Sequence, residues 1–175
     1  MCFMKRGLVK DKFGQSTMGL PFGIIFALFL IVVFIVIAFI AVNYFLDIGK
    51  CASVGMFYEE LQGEVNDVLV SQETDNVEFE VDLPSGIERV CFWDTGGDTT
   101  RTASVLEDYD KISIYQVQDA NVFLIPPGKA CEMQFKKIEN INITEITSER
   151  NPYCVDAGRG LVLSKGFYDK FVVVV

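Results

Sequence analysis

The chain contains no histidine. That absence removes the usual base of Ser-His and Cys-His nucleophile pairs and takes away the commonest metal ligand. No two cysteines stand in the close C-x-x-C spacing of a zinc site, no glycine-rich stretch of the phosphate-cradling kind occurs, and there is neither an internal repeat nor a low-complexity segment. Charge is missing as well from Phe13 to Leu46, and within that stretch nineteen apolar residues follow one another from Ile24 to Val42. At 1.5 Å of rise per residue such a run covers a bilayer core of about 30 Å, and it is longer than the roughly 7 to 15 apolar residues of a cleaved secretory signal. It reads as a transmembrane helix with membrane lipid as its first partner.

The charge that is present divides unevenly. Residues 1–46 carry Lys5, Arg6, Lys10 and Lys12 against Asp11 alone, a net +3, whereas residues 47–175 carry 23 acids and 11 bases, a net −12. Basic flanks stay in the cytoplasm, which puts the N-terminus inside the cell membrane and everything after Asp47 outside. So acidic a surface disfavours nucleic acid, because phosphate binding needs clustered bases. Cys51, Cys91, Cys131 and Cys154 then fall outside, an even number where disulfides persist, and three pairings are open. Asn142-Ile143-Thr144 is an N-glycosylation sequon on the same side.

Past the membrane run the pattern becomes periodic. Ile48, Cys51, Ala52, Met56, Phe57, Leu61, Val65, Val68 and Leu69 recur at three- and four-residue steps with Glu59, Glu60, Glu64 and Asp67 between them, the pattern of an amphipathic helix. One helix is expected from about Pro21 to Ser71, passing Gly49. After "SQETDN" the period becomes two. Val77, Phe79 and Val81 predict a strand, "LPSG" a turn, and "IERVCFW" its hairpin partner. "DTGGDTTRTAS" reads as loop. "KISIYQV", "NVFLIPP", "ACEMQFKKI" and "NINITEI" read as further strands, and "GLVLS" with "KFVVVV" as a last hairpin. The four valines Val172 to Val175 are expected inside a sheet or against a neighbouring copy, since a free edge of that composition invites aggregation. The expected fold class is α+β: a long N-terminal helix, transmembrane in its first half and amphipathic in its second, packed on an antiparallel β-sheet or small β-sandwich.

This organisation resembles the type IV pilins, especially the archaeal ones. The resemblance rests on the basic leader with Lys5, Arg6, Lys10 and Lys12, the Gly14-Gln15 junction, the apolar helix, its amphipathic extension and the terminal β-domain. It implies a cut after Gly14 by a prepilin peptidase, with Gln15 as the new N-terminus. It also implies a homopolymer of copies whose helices bundle into a filament core, built by pilus assembly machinery and used in adhesion. Ile24, Phe26, Leu30, Phe34, Ile37 and Phe39 are the expected assembly residues. Many bacterial pilins carry Glu at the fifth mature position, which is Gly19 here, so the likeness is to the archaeal branch. The chain divides accordingly into residues 1–14 (leader), 15–46 (membrane or filament-core helix), 47–72 (amphipathic extension) and 73–175 (β-domain). The alternative is an uncleaved single-pass anchor binding a partner through its β-domain.

Two features invite chemistry. Asp94-Thr95-Gly96 looks like the active-site turn of aspartic proteases, where paired aspartates share a proton. The apolar segment ending in Gly that braces such a turn has no counterpart, and "GDTTR" continues as a polar loop. Glu59, Glu60, Glu64 and Asp67 lack the loop carbonyls of a calcium site and read as a solvated helix face. No catalytic residue, cofactor or metal is expected, and the chain is read as structural rather than as an enzyme.

Overall fold

The computed structural model describes residues 19–71, 76–116 and 118–175. Among them the order is α1 (Gly19–Val70), β1 (Val77–Phe79), β2 (Arg89–Phe92), α2 (Ala103–Ile112), β3 (Val122–Ile125), β4 (Phe135–Lys136), α3 (Ile143–Ile146), β5 (Tyr153–Asp156), β6 (Leu161–Ser164) and β7 (Val173–Val174). The fold is α+β, with a long apolar N-terminal helix and antiparallel sheets of three and four strands. The chain divides into two units at the Leu46–Asp47 boundary.

In the first unit α1 is apolar on every side and carries no charge between Phe22 and Leu46. In the second unit the same helix changes character, and one arc of it is buried. Val54, Phe57, Tyr58, Leu61, Val65 and Val68 lie against the sheets, at steps that keep them on one helix face. Burying each large side chain contributes about 1.5–3 kcal/mol. The observed arc differs from the expected stripe: Ile48, Ala52 and Met56 are exposed. At roughly 100° per residue Met56 lies nearly opposite Val54, so these three form a separate ridge. The helix ends where the Lys165 ammonium meets the carbonyls of Leu69 and Ser71. A cation is favoured there, since the last carbonyls of a helix have no internal partner.

The four-stranded sheet runs β4-β3-β2-β5 and the three-stranded sheet β1-β6-β7, with every ladder antiparallel. Val90, Phe92, Val122 and Leu124 point from one face of the larger sheet into the core shared with α1. Cys91, Phe123 and Ile125 point from the other face into a second core with Trp93, Ile112 and Ala120. Covering on both faces explains why "RVCFW" and "VFLI" read as unbroken apolar runs rather than alternating ones.

Three expectations change, and a fourth loses one of its two alternatives. The hairpin of Val77–Val81 with "IERVCFW" does not form: β1 pairs with β6, Val77 facing Leu163, and β2 lies between β3 and β5. "KISIYQV" is not a strand, because Ile112 ends α2 and Ser113–Tyr115 is a 3-10 turn; its Val117 lies outside the described residues. "NINITEI" carries α3, with Asn142 as its N-cap. The terminal valines form the outer strand of the smaller sheet. β6 pairs with one side of β7, and the other side is touched by a single parallel bridge from Ile141 to Val172. The "GLVLS"/"KFVVVV" pairing is observed as β6 and β7.

Candidate functional site

The expected assembly residues are all on the surface of the chain. Ile24, Phe26, Leu30, Phe34, Ile37 and Phe39 are between 37% and 69% exposed, and no residue of Phe22–Leu46 is buried. A helix apolar all round and covered by nothing of its own needs an apolar environment from elsewhere. Its length and composition are those of a membrane span. Gly14 and Gln15, the expected processing junction, lie outside the described residues.

The cysteines resolve into one of the three open pairings, Cys51 with Cys131 and Cys91 with Cys154. The first fastens the amphipathic part of α1 to the segment after β3, where Cys131 and Glu132 hold positive φ. The second joins directly opposed residues of β2 and β5. Asp108 of α2 stands within 4.8 Å of both sulfurs of this second bridge, a cluster with the ligand types of a metal centre. The sulfurs are bonded to each other, so neither is a thiolate ligand. Asp108 is almost fully buried, pairs with Arg89 at 2.6 Å through Oδ2, and leaves Oδ1 without a hydrogen bond. Loss of hydration raises its pKa above the ordinary aspartate value, and the Arg89 guanidinium opposes that rise.

Asn142, the glycosylation candidate, caps α3. Its Oδ1 accepts from the Glu145 N–H and its Nδ2 donates to the Glu145 carboxylate at 2.8 Å, a reciprocal capping pair. The amide that would carry a glycan is therefore already in use in the folded chain. Two other amides act as surrogate strand partners. Gln62 of α1 donates to the Glu139 carbonyl and accepts its N–H, and Asn121 does the same for Ile138.

The Asp94-Thr95-Gly96 turn has a structural explanation. The Asp94 carboxylate accepts the Gly96 N–H at 3.0 Å and the Thr144 hydroxyl at 3.4 Å. Buried Asn151 holds the rest of the loop: its side chain accepts the Asp94 N–H and donates to the carbonyls of Asp94 and Asp98, and its N–H donates to Thr100. Between this loop and α2 lies an open cleft lined by Asp98, Arg101, Leu106 and Tyr109.

A second open cleft, of about 440 Å³, lies between the segment Glu145–Tyr153, the end of β6 and β7. One wall is the turn Gly166–Asp169. Its backbone closes through Asp169 N–H to the Gly166 carbonyl, and the Asp169 carboxylate accepts the Gly166 N–H at 3.0 Å. Any side chain on Gly166 would collide with that carboxylate. The tip of the turn carries Phe167 and Tyr168, 70% and 91% exposed, with their rings edge to face 5.0 Å apart. Across the cleft the Arg150 guanidinium sits 5.6 Å above the Tyr153 ring.

No family model, curated protein or solved structure matches this chain.

The local geometry therefore carries the functional reading. Sequence reasoning located the apolar segment and the four cysteines that pair in the second unit. It missed the aromatic turn, whose signal is the run Gly166-Phe167-Tyr168-Asp169: two adjacent aromatics between residues that favour a tight turn.

Proposed function

We infer that this protein is a structural subunit of a pilus-like surface filament of the archaeal type, anchored and then assembled through its N-terminal helix and used in adhesion. The observation that carries this reading is that no apolar side chain from Phe22 to Leu46 is buried and nearly all the large ones are exposed, beside the burial of one helix face from Val54 to Val68. A helix whose second half is satisfied by its own domain and whose first half is buried by nothing among the described residues suits two successive environments. The first is lipid, and the second is a bundle of identical helices from other copies. The two disulfides support an oxidising, extracytoplasmic compartment for the domain. The net charge of +3 over residues 1–46 supports a cytoplasmic N-terminus.

The test is the mass and N-terminal residue of the protein recovered from its native cell surface, with electron microscopy of the same preparation. A chain beginning at Gln15 within filaments is the expected outcome. A chain retaining its leader, dispersed in the membrane, overturns the filament reading in favour of a permanent anchor.

A further inference from the structure

We propose that the Cys91–Cys154 bridge is a reversible thiol–disulfide exchange site, opened and closed by an external dithiol, with Asp108 as the group that hands a proton to the Cys91 sulfur and takes it back. This is a property of the second unit by itself and holds whether or not the chain assembles.

A buried polar atom without a hydrogen bond is costly, and a native structure that keeps one needs a reason for it. Asp108 is 4% exposed. Its Oδ2 is held by the Arg89 guanidinium at 2.6 Å, while Oδ1 is the one buried side-chain polar atom among the described residues that has no hydrogen bond. Beside it stands the disulfide, with a carboxylate oxygen of Asp108 within 4.8 Å of both sulfurs. A closed disulfide asks nothing of a carboxyl group. An opening one does, because the sulfur that leaves as a thiolate needs a proton to become a thiol.

The two sulfurs differ in access. Cys154 is on β5, the outer strand of the larger sheet, and is partly exposed; Cys91, on β2 between two other strands, is fully buried. An incoming thiolate therefore meets Cys154, and Cys91 is the leaving group. It departs among Trp93, Ile112, Phe123 and Ile125, where a bare thiolate is poorly tolerated. Burial favours the protonated form of Asp108, so the proton is at hand, and Arg89 fixes the carboxyl in place. The remaining charged groups near it are already engaged: Glu107 and Lys111 of α2 pair with each other at 2.9 Å, and Asp156 of β5, opposite Arg89 in the ladder, lies 3.6 Å from Arg159.

The exchange balances as follows. A thiolate of the dithiol bonds to Cys154 Sγ as the S–S bond breaks, and the bonding pair leaves on Cys91 Sγ, which takes the Asp108 proton. The second thiolate of the dithiol then attacks the dithiol sulfur of the mixed disulfide and releases Cys154 as a thiolate, which is protonated by water. Two electrons pass to the bridge and the dithiol is oxidised to its own disulfide. Closure is the reverse: the Asp108 carboxylate takes the proton of the Cys91 thiol, and the resulting thiolate attacks a mixed disulfide held on Cys154.

The test uses the full chain in detergent micelles, with dithiothreitol as the dithiol and glutathione as a monothiol that stops at the mixed disulfide. Quenching with N-ethylmaleimide and mass mapping follow each cysteine separately, so that Cys51–Cys131 serves as the control within the same molecule. The folded wild type should open Cys91–Cys154 without denaturant, and glutathione should be found on Cys154 with Cys91 as the free thiol. In Asp108→Asn the opening should slow about tenfold or more at about pH 6, with the gap narrowing towards about pH 8 as the wild-type Asp108 ionises, while Cys51–Cys131 opens alike in both chains. A purely structural role for Asp108 gives the opposite sign, since a loosened domain exposes the bridge and opens it faster. Equal or faster opening in Asp108→Asn at about pH 6, glutathione on Cys91, or opening of the wild-type bridge only in denaturant overturns the proposal. The wild type alone gives a second measurement should the variant not fold. Its Cys91–Cys154 opening rate per unit of dithiothreitol thiolate should fall as pH rises from about 5 to about 8 while that of Cys51–Cys131 stays level, and a level profile at both bridges overturns the proposal as well.

Discussion

The two halves of α1 draw on the same apolar residue types within one helix, yet their surroundings are opposite. From Phe22 to Leu46 the large side chains are spread over the whole circumference and none is buried; from Asp47 to Val70 they concentrate on one arc and six are buried. The halves differ in how much of the helix is apolar, 23 of 25 residues against 12 of 24, and in how that apolar surface is distributed around it. One domain can cover one arc of a helix. It cannot cover all of them, and a helix apolar on every face must find the remainder in lipid or in other helices. The difference can be broken at either end.

The largest expected effect is at the uncovered end. Phe34→Glu puts a charge near the middle of the apolar run, which costs several kcal/mol in hydrocarbon, and should abolish membrane recovery and assembly together. Fractionation of cells expressing the variant reads this out; recovery of the variant in the membrane at the wild-type level sinks the transmembrane reading. At the covered end, Phe57→Ala should leave membrane insertion intact and destabilise the domain by about 3–5 kcal/mol in denaturant melts. A cost under about 1 kcal/mol there removes the distinction between the halves. Replacing Cys51 and Cys131 together by Ser should cost about 2–5 kcal/mol, because the bridge closes a sequence separation of 80 residues. The same melts under reducing conditions should then no longer separate variant from wild type at this bridge.

A subtler effect concerns pH. Asp108 has a raised pKa in the folded chain, so folding favours its protonated form. Its contribution to stability is fully present below the unfolded aspartate pKa of about 3.9 and is lost as pH rises through the folded value. The stability of the wild type relative to Asp108→Asn should therefore fall between acid and neutral pH, with Arg89, Glu107 and Lys111 as the charged groups that shape the curve. A relative stability that rises over this range contradicts the direction of the shift. The smallest effect is expected for Met56→Ala, on the exposed ridge of the same helix, within about 0.5 kcal/mol in melts of the unassembled chain. A larger loss there shows that the ridge is covered even before assembly.

Much of this contrast is legible in the residues themselves. The uncharged run, the switch from uniform to periodic hydrophobicity near Asp47, and the β6–β7 hairpin follow from local pattern. Long-range partners do not. β1 pairs with β6 across about 80 residues, and its own alternation gives no hint of the choice between that partner and the nearer β2. In α2 two patterns compete: Ile112 and Ile114 alternate as in a strand, while Val105, Tyr109 and Ile112 stand at steps of four and three as in a helix. The helix prevails, with Ile112 buried beside Phe123 and Ile125 under the larger sheet. The candidate cleft was the least legible feature. Its groups come from α3, β5, β6 and the turn beyond it, and only the register of the sheets brings Ser164 near Glu149 and Tyr153.

The Cys51–Cys131 bridge also sets how the domain responds to force. Tension entering the second unit along α1 reaches the bridge four residues after Asp47, before it reaches Val54, the first fully buried side chain of the helix face. The covalent bond passes that tension into the β-domain, and the packed arc from Val54 to Val68 is shielded from shear. Under a load applied along α1, rupture would then demand breaking a covalent bond or unfolding a sheet, rather than peeling a helix from its seat.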